Sequence, residues 1–177
     1  RGVLLYHGLG SGKTCSSIAI TEGLKSTKPV IIMTPAALRK NYVEELKTCG
    51  DVLYRKNQFW EFIDVNRNAP DDVLLSQMSH MIGLTREQIL KQGGSWMVNI
   101  KKKSNHDTMS VEDKTQLEEQ IDMMIHNKYQ FINYNGLRQA NISNLSNGYK
   151  TNPFDDAVVV IDEAHNLVGR IVNKLGR

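Results

Sequence analysis

The chain has 177 residues, of which 40% are hydrophobic and 23% charged, a balance that is ordinary for a globular domain. It contains no run of 18 apolar residues, so the sequence indicates no membrane-spanning helix. A net charge of +3 permits contact with nucleic acid without requiring it.

The two cysteines are too few for a disulfide framework. We therefore expect Cys15 to be a free thiol and the compartment to be reducing and intracellular. Arg1 directly precedes the first apolar segment and is not preceded by a methionine. From this we expect the chain to be a piece of a longer polypeptide.

The first 50 residues alternate between strand and helix patterns. Residues 2–6 predict a short buried strand, and residues 12–25 predict a helix. Residues 29–34 are apolar and β-branched, which favours a second strand, and Pro35 suits the first turn of a second helix. This order predicts an α/β fold with a parallel sheet flanked by helices.

Residues 51–129 have a different character, polar and helical. Asp71 or Asp72 can cap one helix that ends at Gly83, and Thr85 with Gln88 forms a capping box for the next. A third helix is expected to start near Ser110. Further strands are expected at residues 131–134 and 157–161. We therefore predict a core domain of residues 1–50 and 130–177 interrupted by a helical insertion, 51–129.

A glycine-rich loop follows the first predicted strand. A phosphate-binding loop needs glycines so that backbone N–H groups can close around a phosphate, and the helix behind it contributes its positive end. Lys13 can reach the β- and γ-phosphates of a nucleotide, and the Thr14 hydroxyl can ligate Mg²⁺. The general motif has glycine where this chain has His7. The candidate ATP-binding residues are Gly8, Leu9, Gly10, Ser11, Gly12, Lys13 and Thr14.

Two adjacent carboxylates end the last predicted strand. Asp162 is placed to hold Mg²⁺, and Glu163 is the candidate base that activates the attacking water. An ordinary solvated strand end is the alternative for these two residues alone. The phosphate loop in the same chain favours a nucleotide site.

Together, residues 10–14 (GSGKT) and 162–165 (DEAH) resemble motifs I and II of superfamily 2 helicases and translocases, in the DEAH variant. Residues 34–42 resemble motif Ia, especially in Snf2-like motors. His7 and Asn166-Leu167 are similar to residues in helicases of large DNA viruses, including poxvirus-type early transcription factors and nucleoside triphosphatases. The resemblance implies a RecA-like P-loop NTPase domain that uses Mg-ATP to unwind or move along DNA or RNA.

The same resemblance implies further roles. Thr34, Pro35 and Arg39 would face the phosphates of one nucleic-acid strand, and residues 133–135 would lie near that track. His165 would couple nucleotide state to movement. Arginine fingers would come from a second RecA-like lobe of the same polypeptide, so the chain alone should hydrolyse ATP poorly. A viral origin would place the protein in the virion or the host cytoplasm.

Three alternatives remain open at this point. The motor could be a double-strand translocase. It could also be a transcription initiation or termination factor that contacts the transcription machinery and uses ATP as a conformational switch while bound to DNA, without separating the strands. It could also be a P-loop kinase unrelated to nucleic acid.

Within the insertion, residues 75–92 have the spacing of a DNA-reading helix-turn-helix. However, Gln92 occupies a position where that motif has an apolar core residue, which favours accessory helices.

Overall fold

The chain divides into two units, which we describe separately. The computed structural model describes residues 2–6, 10, 12–24 and 28–175, without the side chains of residues 170, 174 and 175. The α/β unit comprises Arg1–Leu46 and Tyr129–Arg177, and the insertion unit comprises Lys47–Lys128. None of the helices that the described residues form has the length and hydropathy needed to cross a bilayer.

The described residues form helices and strands in the following chain order: α1 (Lys13–Leu24), β1 (Val30–Thr34), α2 (Arg39–Cys49), β2 (Trp60–Asp64), α3 (Asp72–Ile82), α4 (Arg86–Gln92), β3 (Gly94–Val98), α5 (Val111–Lys128), β4 (Tyr129–Asn133), α6 (Gln139–Leu145), β5 (Val158–Ile161) and α7 (Ala164–Leu175).

The α/β unit is built on a three-stranded parallel sheet of order β4-β1-β5. All five residues of the central strand β1 are buried, as expected of a parallel strand covered on both faces. Ile32 pairs with Phe131 on one side and with Val160 on the other. The prediction of a parallel sheet flanked by helices is confirmed, and the architecture is consistent with a RecA-like domain.

Successive residues of β1 pack on opposite faces of the sheet. Ile31 and Met33 pack with Ile132 and Tyr134, and this cluster is covered by partly buried residues that follow β4 and β5, among them Leu145 and Leu167. The opposite face includes Phe131, whose ring meets Tyr42 of α2 edge-on, with the centroids 6.2 Å apart. Because the side-chain period of a strand is two, each residue of β1 commits to one face.

The predicted strand at residues 2–6 is wrong. These residues form no strand, and Val3, Leu4 and Tyr6 are 79%, 81% and 92% exposed. A strand is stabilised by pairing with a neighbour, and β5 pairs only with β1 among the described strands. The apolar pattern of these residues therefore indicates a propensity to form a strand, but none of the described strands pairs with them.

The insertion unit has its own core and follows the predicted caps. Asp71 accepts hydrogen bonds from the first turn of α3, and Gly83 ends that helix in the left-handed conformation. Thr85 and Gln88 form the predicted capping box of α4. The third helix also starts where expected. The core contains Trp60, Leu75, Ile89, Leu117 and Ile121, each at most 1% exposed.

The insertion unit is not entirely helical, because β2 and β3 form a two-stranded antiparallel sheet that we did not predict. Gly94 starts β3 where a Cβ atom would lie 2.3 Å from the carbonyl oxygen of Ile63, so this pairing requires glycine. The buried side chain of Gln120 on α5 extends the sheet. It accepts hydrogen bonds from Ser95 Oγ and Trp96 N and donates to Trp96 O, at 2.7–2.8 Å.

The expectation that Cys15 is a free thiol is also wrong. Neither of the two cysteines is free, and Cys15 is disulfide-bonded. The spacing of cysteines in a sequence does not reveal which thiols a fold brings to a partner. The cysteines therefore do not support the expected reducing compartment.

Candidate active site

The candidate site lies at the edge of the sheet where β1 and β5 end. Asp162 follows β5 directly, and its backbone N–H donates to the carbonyl oxygen of Met33 at 2.9 Å, which extends the strand ladder by one step. The Thr34 side chain at the end of β1 lies near enough to the Asp162 carboxylate to lower its pKa. The ladder bond fixes the backbone from which the carboxylate projects.

Lys13 starts α1, behind two glycines with left-handed backbones. Gly10 has a φ of 72° and Gly12 a φ of 78°, a region that glycine enters without steric cost. The positive charge of Lys13 is the smallest of the influences that lower the pKa of Asp162. The two groups, 149 positions apart in sequence, are therefore near enough for their charges to interact. Gly8, Leu9 and Ser11 of the predicted loop, with His7, lie outside the described residues.

The pKa of Asp162 is nevertheless raised above its ordinary value of 3.8. Burial is the largest cause, followed by the negative charge of Glu163. Hydrogen bonds from the Glu163 backbone and Thr34, with the charge of Lys13, oppose the rise without cancelling it. A half-buried carboxylate that is under-compensated in this way suits a divalent cation, and a carboxylate with the Thr14 hydroxyl is an oxygen donor set of the kind Mg²⁺ prefers.

Glu163 occupies a strained turn. Its φ is 51°, in the left-handed region that a non-glycine residue rarely adopts. The hydroxyl of Tyr134 donates to the carbonyl oxygens of Asp162 and Glu163, at 3.0 and 3.1 Å, and the N–H of Asn166 donates to the same Glu163 oxygen at 2.9 Å. These bonds hold the turn that presents both carboxylates.

Tyr134 is the functional candidate that the sequence did not reveal. Its ring is 2% exposed, in the core cluster beneath the sheet, and its hydroxyl reaches the two carbonyls of the Asp162–Glu163 turn. Burial raises the pKa of this hydroxyl, with a smaller contribution from the charges of Asp162 and Glu163. The motif resemblance placed residues 133–135 near a nucleic-acid track but gave no sign of this contact.

His165 and the three residues predicted to face nucleic acid are placed differently. The His165 ring is largely exposed, with Nδ1 3.3 Å from a carboxylate oxygen of Glu163. Thr34 and Pro35 are buried, so little of either is presented to an outside ligand. Arg39 is exposed, and its guanidinium lies over the ring of Phe131 at 5.0 Å. Among these three, Arg39 is the side chain available to a phosphate.

A hydrogen bond between the hydroxyls of Ser17 and Tyr42 joins α1, the helix behind the candidate phosphate loop, to α2. Ser17 donates to the carbonyl oxygen of Thr14 at 2.7 Å, and its oxygen lies 2.9 Å from the hydroxyl of Tyr42. Burial is the main reason that the pKa of Tyr42 is raised to about 12. Tyr42 therefore stays protonated and donates to Ser17, which fixes the start of α1 against α2.

Comparison with known proteins gives one partial similarity and two negative results. Over 55 residues, 30% of its length, the chain is 42% identical to the putative ATP-dependent RNA helicase R563 of Acanthamoeba polyphaga mimivirus. The aligned part spans 10% of that protein. No protein-family model matches the chain. No solved structure matches it significantly. The similarity therefore relates 55 residues of this chain to a protein that is named as a helicase.

Proposed function

We propose that the chain is the ATP-binding lobe of an ATP-dependent nucleic-acid helicase of superfamily 2, in the DEAH variant. The observation that carries this proposal is the position of the half-buried Asp162 and of Glu163 in a tight turn directly after β5, at the edge of the parallel sheet where β1 also ends. The partial similarity to a protein named as an ATP-dependent RNA helicase supports the same activity.

In this proposal each candidate residue has one task in ATP hydrolysis. Backbone N–H groups of residues 8–14 bind the β-phosphate, and Lys13 binds the β- and γ-phosphates. Thr14 and Asp162 would hold Mg²⁺, which would neutralise charge on the phosphate oxygens. Glu163 accepts the proton of a water that attacks the γ-phosphorus. The bond from the γ-phosphorus to the bridging oxygen then breaks and releases ADP and phosphate.

Nucleotide binding is tested with a fluorescent ATP analogue and Mg²⁺. We expect Lys13→Ala to weaken binding by about 10- to 100-fold, because it removes charge-assisted hydrogen bonds to phosphate. Lys150→Ala, which removes an exposed lysine of the same unit, is the matched control and should bind as the unchanged chain does. Equal affinity of the Lys13 variant and the control would contradict the proposal.

Glu163→Gln separates binding from chemistry. It keeps the shape of the side chain and removes the base, so we expect unchanged nucleotide affinity with hydrolysis lost. Since the resemblance implies arginine fingers in a second lobe, the chain alone should hydrolyse ATP about 10³ to 10⁵ times more slowly than a two-lobe protein. Rapid hydrolysis by the chain alone would show that the second lobe is not needed.

The nucleic-acid substrate is the remaining part of the proposal. RNA is the first substrate to test, because the similar mimivirus protein is named an RNA helicase. A strand-displacement assay on the two-lobe protein discriminates the proposed helicase from a double-strand translocase or a transcription switch, which would hydrolyse ATP and leave the duplex intact.

A further inference from the structure

A groove runs along the free edge of the parallel sheet. β4 is an edge strand that pairs with β1 on one side. On the other side, Gln130–Asn133 and residues between Gly136 and Leu145 line an open cavity of about 530 Å³, which we call the β4 groove. This volume falls in the range of small-molecule and cofactor sites.

The lining of the β4 groove is rich in carboxamides and carries no charged side chain among the described residues. Gln130, Asn133, Asn141 and Asn144 contribute the carboxamides. In Asn133 and Asn141 the oxygen already accepts a backbone N–H, at 3.0 and 3.1 Å. In the part of the chain that the structure describes, the side chains of Gln130 and Asn144 make no hydrogen bond. The groove therefore offers unused donors and acceptors without charge.

This chemistry matches the edge of a nucleobase. A carboxamide presents a donor and an acceptor side by side, which is the pattern that pairs with base edges, and an apolar wall accommodates the flat ring. The apolar wall here includes Phe131 and Leu145. A peptide strand added to the edge of β4 would use backbone groups and would not depend on the side chains of Gln130 and Asn144.

A cation and the nucleotide site both adjoin the groove. The exposed guanidinium of Arg39 lies over the ring of Phe131, at 5.0 Å, where it can bind a phosphate next to the base. Asn133 pairs in register with Thr34, which follows Met33, the residue whose carbonyl oxygen accepts the Asp162 N–H. The α/β unit also contains eleven Lys and Arg against seven Asp and Glu, which favours a polyanion as its ligand.

We propose that the β4 groove binds an unstacked base of a single-stranded nucleic acid, with Gln130 and Asn144 reading the base edge and Arg39 binding the adjoining phosphate. This inference rests on the proposed function and adds a base contact to it. The chain would thus recognise single strands by their bases as well as by their phosphates.

The test compares two fluorescein-labelled 12-nucleotide probes, oligouridylate and an abasic strand of equal length, by fluorescence anisotropy. We expect the unchanged chain to prefer the base-bearing probe. The double variant Gln130→Ala/Asn144→Ala should lose at least about fivefold in affinity for that probe and none for the abasic one. Arg39→Ala should weaken both. Gln139→Ala, an exposed carboxamide of α6 that does not line the groove, should change neither.

Two further measurements keep the result unambiguous. Circular dichroism checks the fold of each variant, and the isosteric variant Asn144→Asp should reproduce the loss by placing a negative charge in the groove. Equal affinity for the two probes, or a double variant that binds like the unchanged chain, would overturn the inference. The inference would also be overturned if a peptide that pairs with the edge of β4 displaced the probe equally well from the unchanged chain and from the groove variants. The fluorescent ATP analogue should bind every groove variant normally, so that failure of the ATP site is seen separately.

Discussion

One tyrosine hydroxyl connects the core of the α/β unit with the turn that carries both candidate catalytic carboxylates. Tyr134 donates to the carbonyl oxygens of Asp162 and Glu163, and Glu163 has a left-handed backbone that costs free energy. We expect Tyr134→Phe to keep the ring packed and to remove one hydrogen-bond donor from each carbonyl, while the Glu163 carbonyl keeps the Asn166 N–H. The loss should be about 1–3 kcal/mol in the free energy of unfolding.

Urea unfolding measures this loss, and the hydrolysis rate should fall while nucleotide affinity is retained, because Glu163 is the proposed base. Tyr149→Phe is the matched control, since its hydroxyl also donates to a backbone carbonyl but its ring is 58% exposed. Equal effects of the two substitutions would show that the turn does not depend on Tyr134.

The raised pKa of Asp162 predicts how stability depends on pH. The folded state binds this proton more tightly than the unfolded state, so the contribution of Asp162 to stability is full below pH 3.8 and is lost as pH rises through the higher folded pKa. At pH 7, without Mg²⁺ or nucleotide, the ionised carboxylate should therefore destabilise the fold. We expect Asp162→Asn to raise the urea midpoint at pH 7.

The same comparison at pH 3 should show a much smaller difference between the variant and the unchanged chain. Asp155→Asn, at an exposed carboxylate of the same unit, should show little difference at either pH. An Asp162→Asn variant that is less stable at pH 7 would mean that the bonds from Thr34 and Glu163 outweigh burial. We expect Asp162 to lower the stability of the fold at pH 7, and we expect a bound cation to restore that stability.

At the scale of single elements, local chemistry was predictable and pairing was not. The capping box of Thr85 and Gln88 and the end of α3 at Gly83 could be predicted because a few neighbouring residues determine them. The pairing of β2 with β3 joins segments separated by two helices, and no turn dipeptide links them. The apolar residues 3–6 show the opposite error, since burial depends on a neighbour that the pattern does not specify.

The candidate site likewise combines residues that a local motif predicts with residues that only the folded chain brings together. Spacing and residue type were enough to single out Lys13 and Asp162, because phosphate loops and strand-end carboxylates have local signatures. Tyr134 and the β4 groove depend on contacts across the sheet. Neither has a motif, so only the folded arrangement makes them candidates.

Gln120 provides a test of how a helix can extend a sheet. Its buried side chain binds both the N–H and the C=O of Trp96 on β3, in the manner of a neighbouring strand. Gln120→Leu should therefore lower the free energy of unfolding by about 1–3 kcal/mol, because those backbone groups would stay buried without partners. Gln116→Leu makes the same chemical change one turn earlier on α5, at a partly exposed position.

Thermal unfolding followed by circular dichroism compares these two variants. We expect the melting temperature to fall for Gln120→Leu and to change little for Gln116→Leu. If both fall equally, the cause is the change of helix surface, and the bonds to Trp96 are not important for stability.

For the whole molecule, charge and chemistry are divided between the units. The described residues of the candidate site all belong to the α/β unit, which carries a net charge of +4, whereas the insertion unit has eleven basic and twelve acidic residues. Nucleic-acid binding driven by phosphate should therefore depend on the α/β unit. The insertion contributes no excess of positive charge to it.

The insertion unit has the features of an independently folding domain. It is continuous in sequence, its helices α3 and α4 have their own caps, and its core includes Trp60 and Leu117, which are fully buried or nearly so. We expect residues 47–128, produced alone, to unfold cooperatively in urea with native helix content. The Gln120→Leu substitution should lower the midpoint there by the same free energy as in the whole chain, because its partners lie within the unit. Gradual, non-cooperative unfolding of the separate unit would instead show that its core needs the α/β unit.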